Sequence, residues 1–79
     1  MSDTPYHVRI APAAMRHIRV LPHKAQKLII KLIEALAINP RPPGASKIEG
    51  MMGLYCEIVN SHRLIYKVEE QEVLLLLVL

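Results

Sequence analysis

The chain has 79 residues, with ten Lys and Arg against seven Asp and Glu, so its net charge is +3 when the histidines are neutral. At this length folding buries only about 60% of the unfolded chain's surface, which excludes a two-domain enzyme and predicts a single domain over residues 1–79. Hydrophobic residues make up 52% of the sequence, which excludes intrinsic disorder.

The cysteine content and the apolar runs indicate a cellular compartment. Cys56 is the single cysteine and cannot form a disulfide within the chain. The N-terminal residues lack the basic stretch and apolar region of a secretion signal. The longest apolar run, Val73 to Leu79, is far shorter than the roughly 20 residues of a membrane-spanning helix. We therefore expect a reduced, cytoplasmic location and no membrane partner.

Charge is unevenly distributed along the sequence. Only Asp3 and Glu34 of the acidic residues precede Pro40, whereas most of the Lys and Arg residues do. A basic first half suits a polyanionic partner such as a nucleic acid. The alternative is a solvated basic surface that has no partner.

The first strand is predicted from alternating apolar and polar residues, and the first helix is predicted from a proline at its start. Tyr6 to Ile10 alternate between apolar and polar residues, which predicts a strand with one buried face. Pro12 fits the first turn of a helix, because its missing N–H has no partner there in any case. A short helix is therefore predicted from Pro12 to Val20, ending near Leu21-Pro22.

The clearest helical pattern begins at Lys24 and ends before Asn39-Pro40, where the residue preceding proline is disfavoured in a helix. Six apolar residues recur at intervals of three and four and predict one buried stripe: Ala25, Leu28, Ile29, Leu32, Ile33 and Leu36. Lys24, Lys27 and Lys31 have the same spacing, and we call them the lysine stripe. We expect the lysine stripe on the solvent side of the helix.

Three apolar segments follow a Pro-rich loop at residues 40–44: Leu54 to Val59, His62 to Val68 and Val73 to Leu79. Breaks at Asn60-Ser61 and at residues 69–72 predict an antiparallel meander. The last segment is apolar throughout, so we expect it inside the sheet with both faces covered. The predicted order is β-α-α-β-β-β, an α+β fold with two helices packed on one antiparallel sheet.

No arrangement of residues predicts a metal or cofactor site. The four histidines lack the spacing of zinc ligands, and the three glycines form neither a phosphate-binding loop nor a dinucleotide fingerprint. Ser, His and Asp do not form a nucleophilic arrangement. We therefore expect no cofactor and no metal, and we interpret Cys56 as a small hydrophobic residue.

Arg63 lies in the middle of an otherwise apolar strand. If Asn60-Ser61 is a two-residue turn, Ile58 faces Arg63 across the hairpin. Cys56 and Ile65 then share that face, and we expect Arg63 to be its only cation. An arginine there needs an anionic partner, which is either a ligand or an internal group such as a glutamate or the terminal carboxylate.

Two helices can cover only one face of the predicted sheet. We therefore expect part of the opposite face, around Cys56, Ile58, Ile65 and the end of the last strand, to stay uncovered. An apolar patch of several hundred Å² usually marks an interaction site.

Several short segments are informative through their order and spacing: Leu21-Pro22, the long helix ending in Asn39-Pro40-Arg41-Pro42-Pro43-Gly44, Ser46-Lys47-Ile48-Glu49-Gly50, Gly53-Leu54-Tyr55 and His62-Arg63-Leu64-Ile65-Tyr66-Lys67-Val68. Together they resemble the RelE/ParE superfamily of bacterial toxins over nearly the whole chain. The resemblance implies the same fold. It also implies the toxin half of a type II toxin–antitoxin pair, which forms a hetero-oligomer with a cognate antitoxin.

The two branches of the superfamily imply different activities. The RelE branch cleaves messenger RNA in the ribosomal A site, whereas the ParE branch inhibits DNA gyrase. For the RelE branch, the resemblance implies that Arg63 neutralises the phosphate and stabilises the transition state. Lys47 and the lysine stripe would then dock to ribosomal RNA.

The sequence also departs from the family pattern. Cys56 and Ile58 stand where the family usually has basic residues, and the sequence ends at Leu79, where the family continues into a turn and a tail. Glu57 stands where the family usually has an apolar residue, and a contact with His62 would offset the burial of its carboxylate. A third interpretation is therefore a truncated, catalytically weak toxin that retains antitoxin binding.

Overall fold

A computed structural model describes residues 5–79, so Asp3 lies outside the described part of the chain. The elements follow in this order: β1 (His7–Ile10), α1 (Pro12–Arg19), α2 (His23–Ile38), β2 (Ser46–Lys47), β3 (Leu54–Val59), β4 (His62–Glu69) and β5 (Glu72–Val78). The strands form one sheet in the spatial order β1-β5-β4-β3-β2, and both helices pack on the same face. The predicted α+β fold with two helices on one sheet is confirmed.

The sheet is mixed, whereas the prediction was a wholly antiparallel sheet. β1 runs parallel to β5, and the other neighbouring strands are antiparallel. A parallel pair needs a long crossover connection, which the two helices and the meander supply together. β2 adds a short edge strand in which Ser46 pairs with Cys56. Two residues are too few to show the alternation by which a strand is recognised in a sequence.

The core lies between the sheet and the helices. Its buried side chains come from both layers: Ala14, Ile18, Ile29, Leu36, Leu64, Tyr66, Val68, Val73, Leu75 and Val78. Of the stripe predicted for α2, Leu28 is 41% exposed because it lies at the margin of the stripe, beside Lys24 and Lys31. No helix within residues 5–79 has the length and the hydropathy needed to cross a membrane.

The strand β5 lies between β1 and β4, which confirms its predicted place inside the sheet. The prediction that both of its faces are covered is wrong. Val73 and Leu75 are buried beneath the helices, whereas Leu74 and Leu77 are only half-buried on the other face. Because both helices pack on one side, nothing in the described part of the chain covers the other.

The hairpin between β3 and β4 fixes the position of Arg63. Asn60 and Ser61 have φ angles of 48° and 67°, as the left-handed conformation of a two-residue turn requires. Ile58 pairs with Arg63 and Cys56 pairs with Ile65, so the predicted register is confirmed.

The Pro-rich loop is held against the sheet by two tyrosines. The Tyr66 hydroxyl donates a hydrogen bond of 3.0 Å to the Pro40 carbonyl oxygen. Tyr66 also stacks on Tyr55, with ring centroids 5.8 Å apart, and Arg41 Nε donates to the Tyr55 hydroxyl at 2.9 Å. Burial, and then the charge of Glu57, raises the pKa of Tyr66 to about 12, so its hydroxyl remains a donor at neutral pH.

Replacing Tyr66 by Phe should lower the free energy of unfolding by about 1 to 3 kcal/mol, because the buried Pro40 carbonyl loses its donor. Urea denaturation measures this loss. The matched control is Tyr55→Phe, which removes an exposed hydrogen bond and should cost less than half as much. Equal losses in the two variants would contradict the assignment of the buried bond as the main tether of the loop.

Candidate functional site

The candidate site is the face of the sheet opposite the helices, which we call the open face. Its side chains stand in three rows across β3, β4 and β5, which continues to Leu79: Ile58, Arg63 and Leu79; Cys56, Ile65 and Leu77; Leu54, Lys67 and Leu74. Neighbouring strands are about 4.8 Å apart, so each β4 side chain has an aliphatic or thiol side chain on both sides.

Arg63 is exposed in the first row of the open face. Two backbone hydrogen bonds with Leu79, of 2.9 and 2.8 Å, and pairing with Ile58 fix its position. The side chains of Ile58 and Leu79 remain exposed on either side of it, by 67% and 58% of the residue surface. Among residues 5–79, no carboxylate oxygen lies within 4.0 Å of the guanidinium group. Arg63 is therefore open to an external anion.

Arg63 is not the only cation of the open face, contrary to the prediction. Lys67 lies on the same face two positions beyond Ile65, and Arg9 of β1 pairs with Leu74 at the end of the third row. Because side chains alternate along a strand, extending the pattern from Ile65 by two residues would have found Lys67. Arg9 could not be found in this way, since its placement depends on the parallel pairing of β1.

The two additional cations have carboxylate partners. Arg9 lies 3.7 Å from Glu72, and Lys67 lies 3.7 Å from Glu69. Lys67 is four residues from Arg63, which corresponds to about 13 Å along the strand. Within the described residues, Arg63 is thus the one cation of the open face with no carboxylate partner.

The lysine stripe and Lys47 are not brought together with Arg63. The three lysines are exposed on α2, which packs on the other face of the sheet. Lys47 pairs with Tyr55, whose side chain packs against the core, so Lys47 also points away from the open face. The predicted site residues therefore divide between two sides of the sheet.

The uncovered apolar patch predicted around Cys56, Ile58 and Ile65 is present. Ile58 is exposed, and Cys56 and Ile65 are half-buried with no helix of the described chain above them. Residues 5–79 contain no group of three His, Cys, Asp or Glu side chains placed to hold a metal ion. Within the described residues, the open face thus offers one guanidinium without a carboxylate partner, surrounded by aliphatic side chains and the Cys56 thiol.

Glu57 lies on the helix-covered face, where it pairs with Leu64. Among the described residues its Oε1 atom is buried without a hydrogen-bond partner, and no ion pair joins Glu57 to His62. Its Oε2 atom lies against Gly44, where an added Cβ would come within 2.5 Å. Burial raises the pKa of Glu57. Glu57 therefore belongs to the packing of the Pro-rich loop and is separated from Arg63 by the sheet.

Several solved structures are similar to this chain over most of its length. The archaeal RelE–RelB complex from Pyrococcus horikoshii OT3 matches with a TM-score of 0.85 and 22% identity, over 94% of this chain and 92% of that chain. The toxin–antitoxin complex RelBE2 from Mycobacterium tuberculosis matches with a TM-score of 0.81 and 22% identity, over 94% and 95%. The YoeB dimer from Staphylococcus aureus matches with a TM-score of 0.75 and 21% identity, over 92% and 93%.

No protein-family model matches the sequence, and no curated protein matches it significantly. The likeness therefore lies in the arrangement of helices and strands. It covers more than nine-tenths of this chain in each of the three structures. The protein has the RelE-like fold that the sequence resemblance implied.

The raised pKa of Glu57 predicts how stability depends on pH. The ordinary pKa of the group is 4.5, so the folded state binds this proton more tightly than the unfolded state. The stability due to protonated Glu57 is fully present below pH 4.5 and is lost as the pH rises through the folded-state pKa. We expect Glu57→Gln to raise the free energy of unfolding at pH 7 and to change it little below pH 4.5.

Urea denaturation at pH 7 and pH 4 measures this difference. Glu34→Gln, on the exposed side of α2, is the matched control and should have little effect at either pH. A Glu57→Gln variant that is less stable than the parent at pH 7 would show that the carboxylate is stabilised in the folded state, contrary to the expectation.

Proposed function

We propose that this protein is the toxin of a type II toxin–antitoxin pair and acts as a RelE-like, ribosome-dependent mRNA endonuclease. The observation that carries the proposal is Arg63, which is exposed on the open face and has no carboxylate partner among the described residues. The RelE-like fold and the resemblance at residues 62–68 support it.

The role proposed for Arg63 follows from the charge changes in phosphodiester cleavage. Negative charge develops on the phosphate oxygens in the transition state, and a planar guanidinium can donate two hydrogen bonds to them. Ile58 and Leu79 stand on either side of Arg63 and would exclude water once RNA covers them. A drier environment strengthens the interaction between the guanidinium and the phosphate.

The division of the basic residues between two sides of the sheet favours a ribosomal target. If Arg63 contacts mRNA, Lys47 and the lysine stripe face the opposite direction and would dock to ribosomal RNA. These two surfaces lie on opposite sides of a protein that measures 24 Å in its shortest principal dimension. A ribosomal cleft with RNA on both sides can contact both surfaces, whereas a single RNA strand on the open face can contact only one.

A cognate antitoxin is the proposed protein partner, in a toxin–antitoxin hetero-oligomer. The half-exposed aliphatic rows of the open face are the surface that such a partner would cover. An antitoxin that covers these rows would also contact Arg63. Antitoxin binding would therefore block the proposed catalytic residue directly and neutralise the toxin.

A second candidate is a catalytically weak toxin that binds its antitoxin but cleaves RNA poorly. The observation in its favour is that Cys56 and Ile58 supply no positive charge beside Arg63. Removal of one preorganised donor lowers kcat by about 10² to 10³ in enzymes that stabilise an oxyanion. Two absent cations could therefore reduce cleavage to a low rate without affecting the apolar rows.

The test is an in vitro translation reaction in which cut sites in the mRNA are mapped. We expect cleavage only in the presence of ribosomes, with a loss of at least about 100-fold in Arg63→Ala. Arg63→Lys should retain part of the activity, because a lysine supplies charge without the planar pair of donors. Arg9→Ala, which removes a paired cation of the same face, is the control and should remain close to the parent.

The other outcomes separate the alternatives. Uncut mRNA in every reaction would contradict endonuclease activity. If antitoxin binding persists in that case, the catalytically weak toxin is the better description. Inhibition of DNA gyrase in a supercoiling assay, with translation unaffected, would establish the ParE-like alternative and overturn the proposal.

A further inference from the structure

Lys67 is a second cation on the strand that carries Arg63. It lies in the third row of the open face, four residues beyond Arg63, and Ile65 stands between the two on the same face. Four residues of a strand correspond to about 13 Å. Leu54 and Leu74 flank Lys67 on the neighbouring strands, so its surroundings are aliphatic like those of Arg63. β4 therefore presents two positive groups that are separated by one apolar row.

The ion pair of Lys67 can be exchanged for a contact with another anion. Its Nζ atom lies 3.7 Å from Glu69 Oε2, and the two side chains are 41% and 65% exposed. An exposed pair of this kind contributes little to stability, because solvent and salt screen it and both flexible side chains must be ordered. A phosphate group could therefore replace the carboxylate, and Glu69 competes with any phosphate for Lys67.

The charges of the open face favour a ligand that runs along β4. Among the described residues, the row that contains Arg63 has only aliphatic side chains beside it. Beyond Lys67, the next pair of residues on this face is Glu69 with Glu72, whose carboxylates repel phosphates. A strand bound at Arg63 thus meets its next positive group at Lys67 and is repelled farther along.

The apolar row between the two cations favours single-stranded RNA over a duplex. Cys56, Ile65 and Leu77 are half-buried and form this row. Unpaired bases and ribose can pack on such a surface, whereas the bases of a duplex are already stacked inside it. A stacked strand carries one phosphate per about 3.4 Å, so the span from Arg63 to Lys67 corresponds to roughly four nucleotides.

We propose that Lys67 contacts a second phosphate of the mRNA strand, roughly four nucleotides from the phosphate at Arg63. Binding exchanges the ion pair between Lys67 and Glu69 for one between Lys67 and the RNA. Lys67 is a positioning residue, because the phosphate that it contacts is not the reacting one. The inference rests on the proposed function for the identity of the RNA. It adds to that function a subsite, a direction along β4 and a competing carboxylate.

The first test is a nuclear magnetic resonance titration of the chain with a single-stranded RNA octanucleotide over a series of salt concentrations. The variant is Lys67→Gln, and the matched control is Arg9→Gln. Arg9 lies in the same row, has the same charge and is paired with a carboxylate at the same distance, 3.7 Å. Its strand, β1, is two strand spacings from β4, about 10 Å, and therefore lies outside the path of the RNA.

We expect Lys67→Gln to weaken binding about fivefold to tenfold at about 50 mM salt, as loss of one phosphate contact requires. Its plot of log affinity against log salt concentration should flatten by about 0.7. Arg9→Gln should lose much less, and Lys67→Arg should retain most of the affinity because it keeps the positive charge. Equal losses in Lys67→Gln and Arg9→Gln would overturn the proposal, since they would show an effect of net charge alone.

The competing carboxylate gives a test of opposite sign. We expect Glu69→Gln to strengthen binding of the octanucleotide at least about twofold, because Lys67 loses its internal partner and a repulsive charge is removed. Glu34→Gln changes the net charge equally, but on the exposed side of α2, and should leave the affinity unchanged. Weaker binding by Glu69→Gln, or equal gains in the two variants, would contradict the exchange of partners.

A ribodinucleotide with a single phosphate separates the two contacts. We expect it to bind at Arg63, which has no competing carboxylate among residues 5–79. Lys67→Gln should therefore bind the dinucleotide as tightly as the parent does. An equal loss for the dinucleotide and the octanucleotide would show that Lys67 acts on the phosphate at Arg63, and the second contact would be wrong.

Cleavage assays distinguish this inference from the proposed function. In the translation reaction, Lys67→Gln should raise KM and leave kcat nearly unchanged, because a contact remote from the reacting phosphate binds substrate and transition state equally. If the parent leaves mRNA uncut while octanucleotide binding still depends on Lys67, the endonuclease assignment fails and the second contact stands. If cleavage depends on Arg63 but Lys67→Gln changes neither KM nor octanucleotide binding, the second contact is overturned.

Discussion

Two helices cover one face of a five-stranded sheet, and the other features of the protein depend on this arrangement. The covered face takes the buried side chains of β4 and β5, such as Leu64, Tyr66 and Leu75. The alternate side chains of the same strands stand on the open face, where residues 5–79 supply no second layer. The same arrangement places Arg63 on one side of the sheet and the lysine stripe on the other.

The packing of the Pro-rich loop against the sheet depends on two tyrosines and one glutamate. Tyr66 and Tyr55 tie the loop to the sheet through one buried and one exposed hydrogen bond. Burial of the Glu57 carboxylate opposes this attachment, because one of its oxygens has no hydrogen-bond partner within residues 5–79. A side chain at Gly44 would displace its other oxygen, which is the flexible end of the Glu57 side chain. Stability and loop packing are therefore linked to the protonation of one carboxyl group.

Local patterns in the sequence predicted six of the seven elements and the position of Arg63. The alternation in β3 and β4, with Asn60-Ser61 between them, was sufficient to give the correct register. The parallel pairing of β1 was not predicted, because it depends on residues more than sixty positions apart, such as His7 and Glu72. The direction of Lys47 depends on β2, which is too short to show a pattern of its own.

We propose the guanidinium of Arg63, which has no carboxylate partner within residues 5–79, as the anion-binding group of the open face. Nuclear magnetic resonance of the arginine Nε–Hε groups tests it directly, during titration with a short single-stranded RNA oligonucleotide. We expect saturable shifts of the Arg63 signal and of the backbone amides of Ile58 and Leu79, whereas Arg41, which is hydrogen-bonded to Tyr55, should change little. An Arg63 signal that stays unchanged while the oligonucleotide binds elsewhere would contradict this role for Arg63.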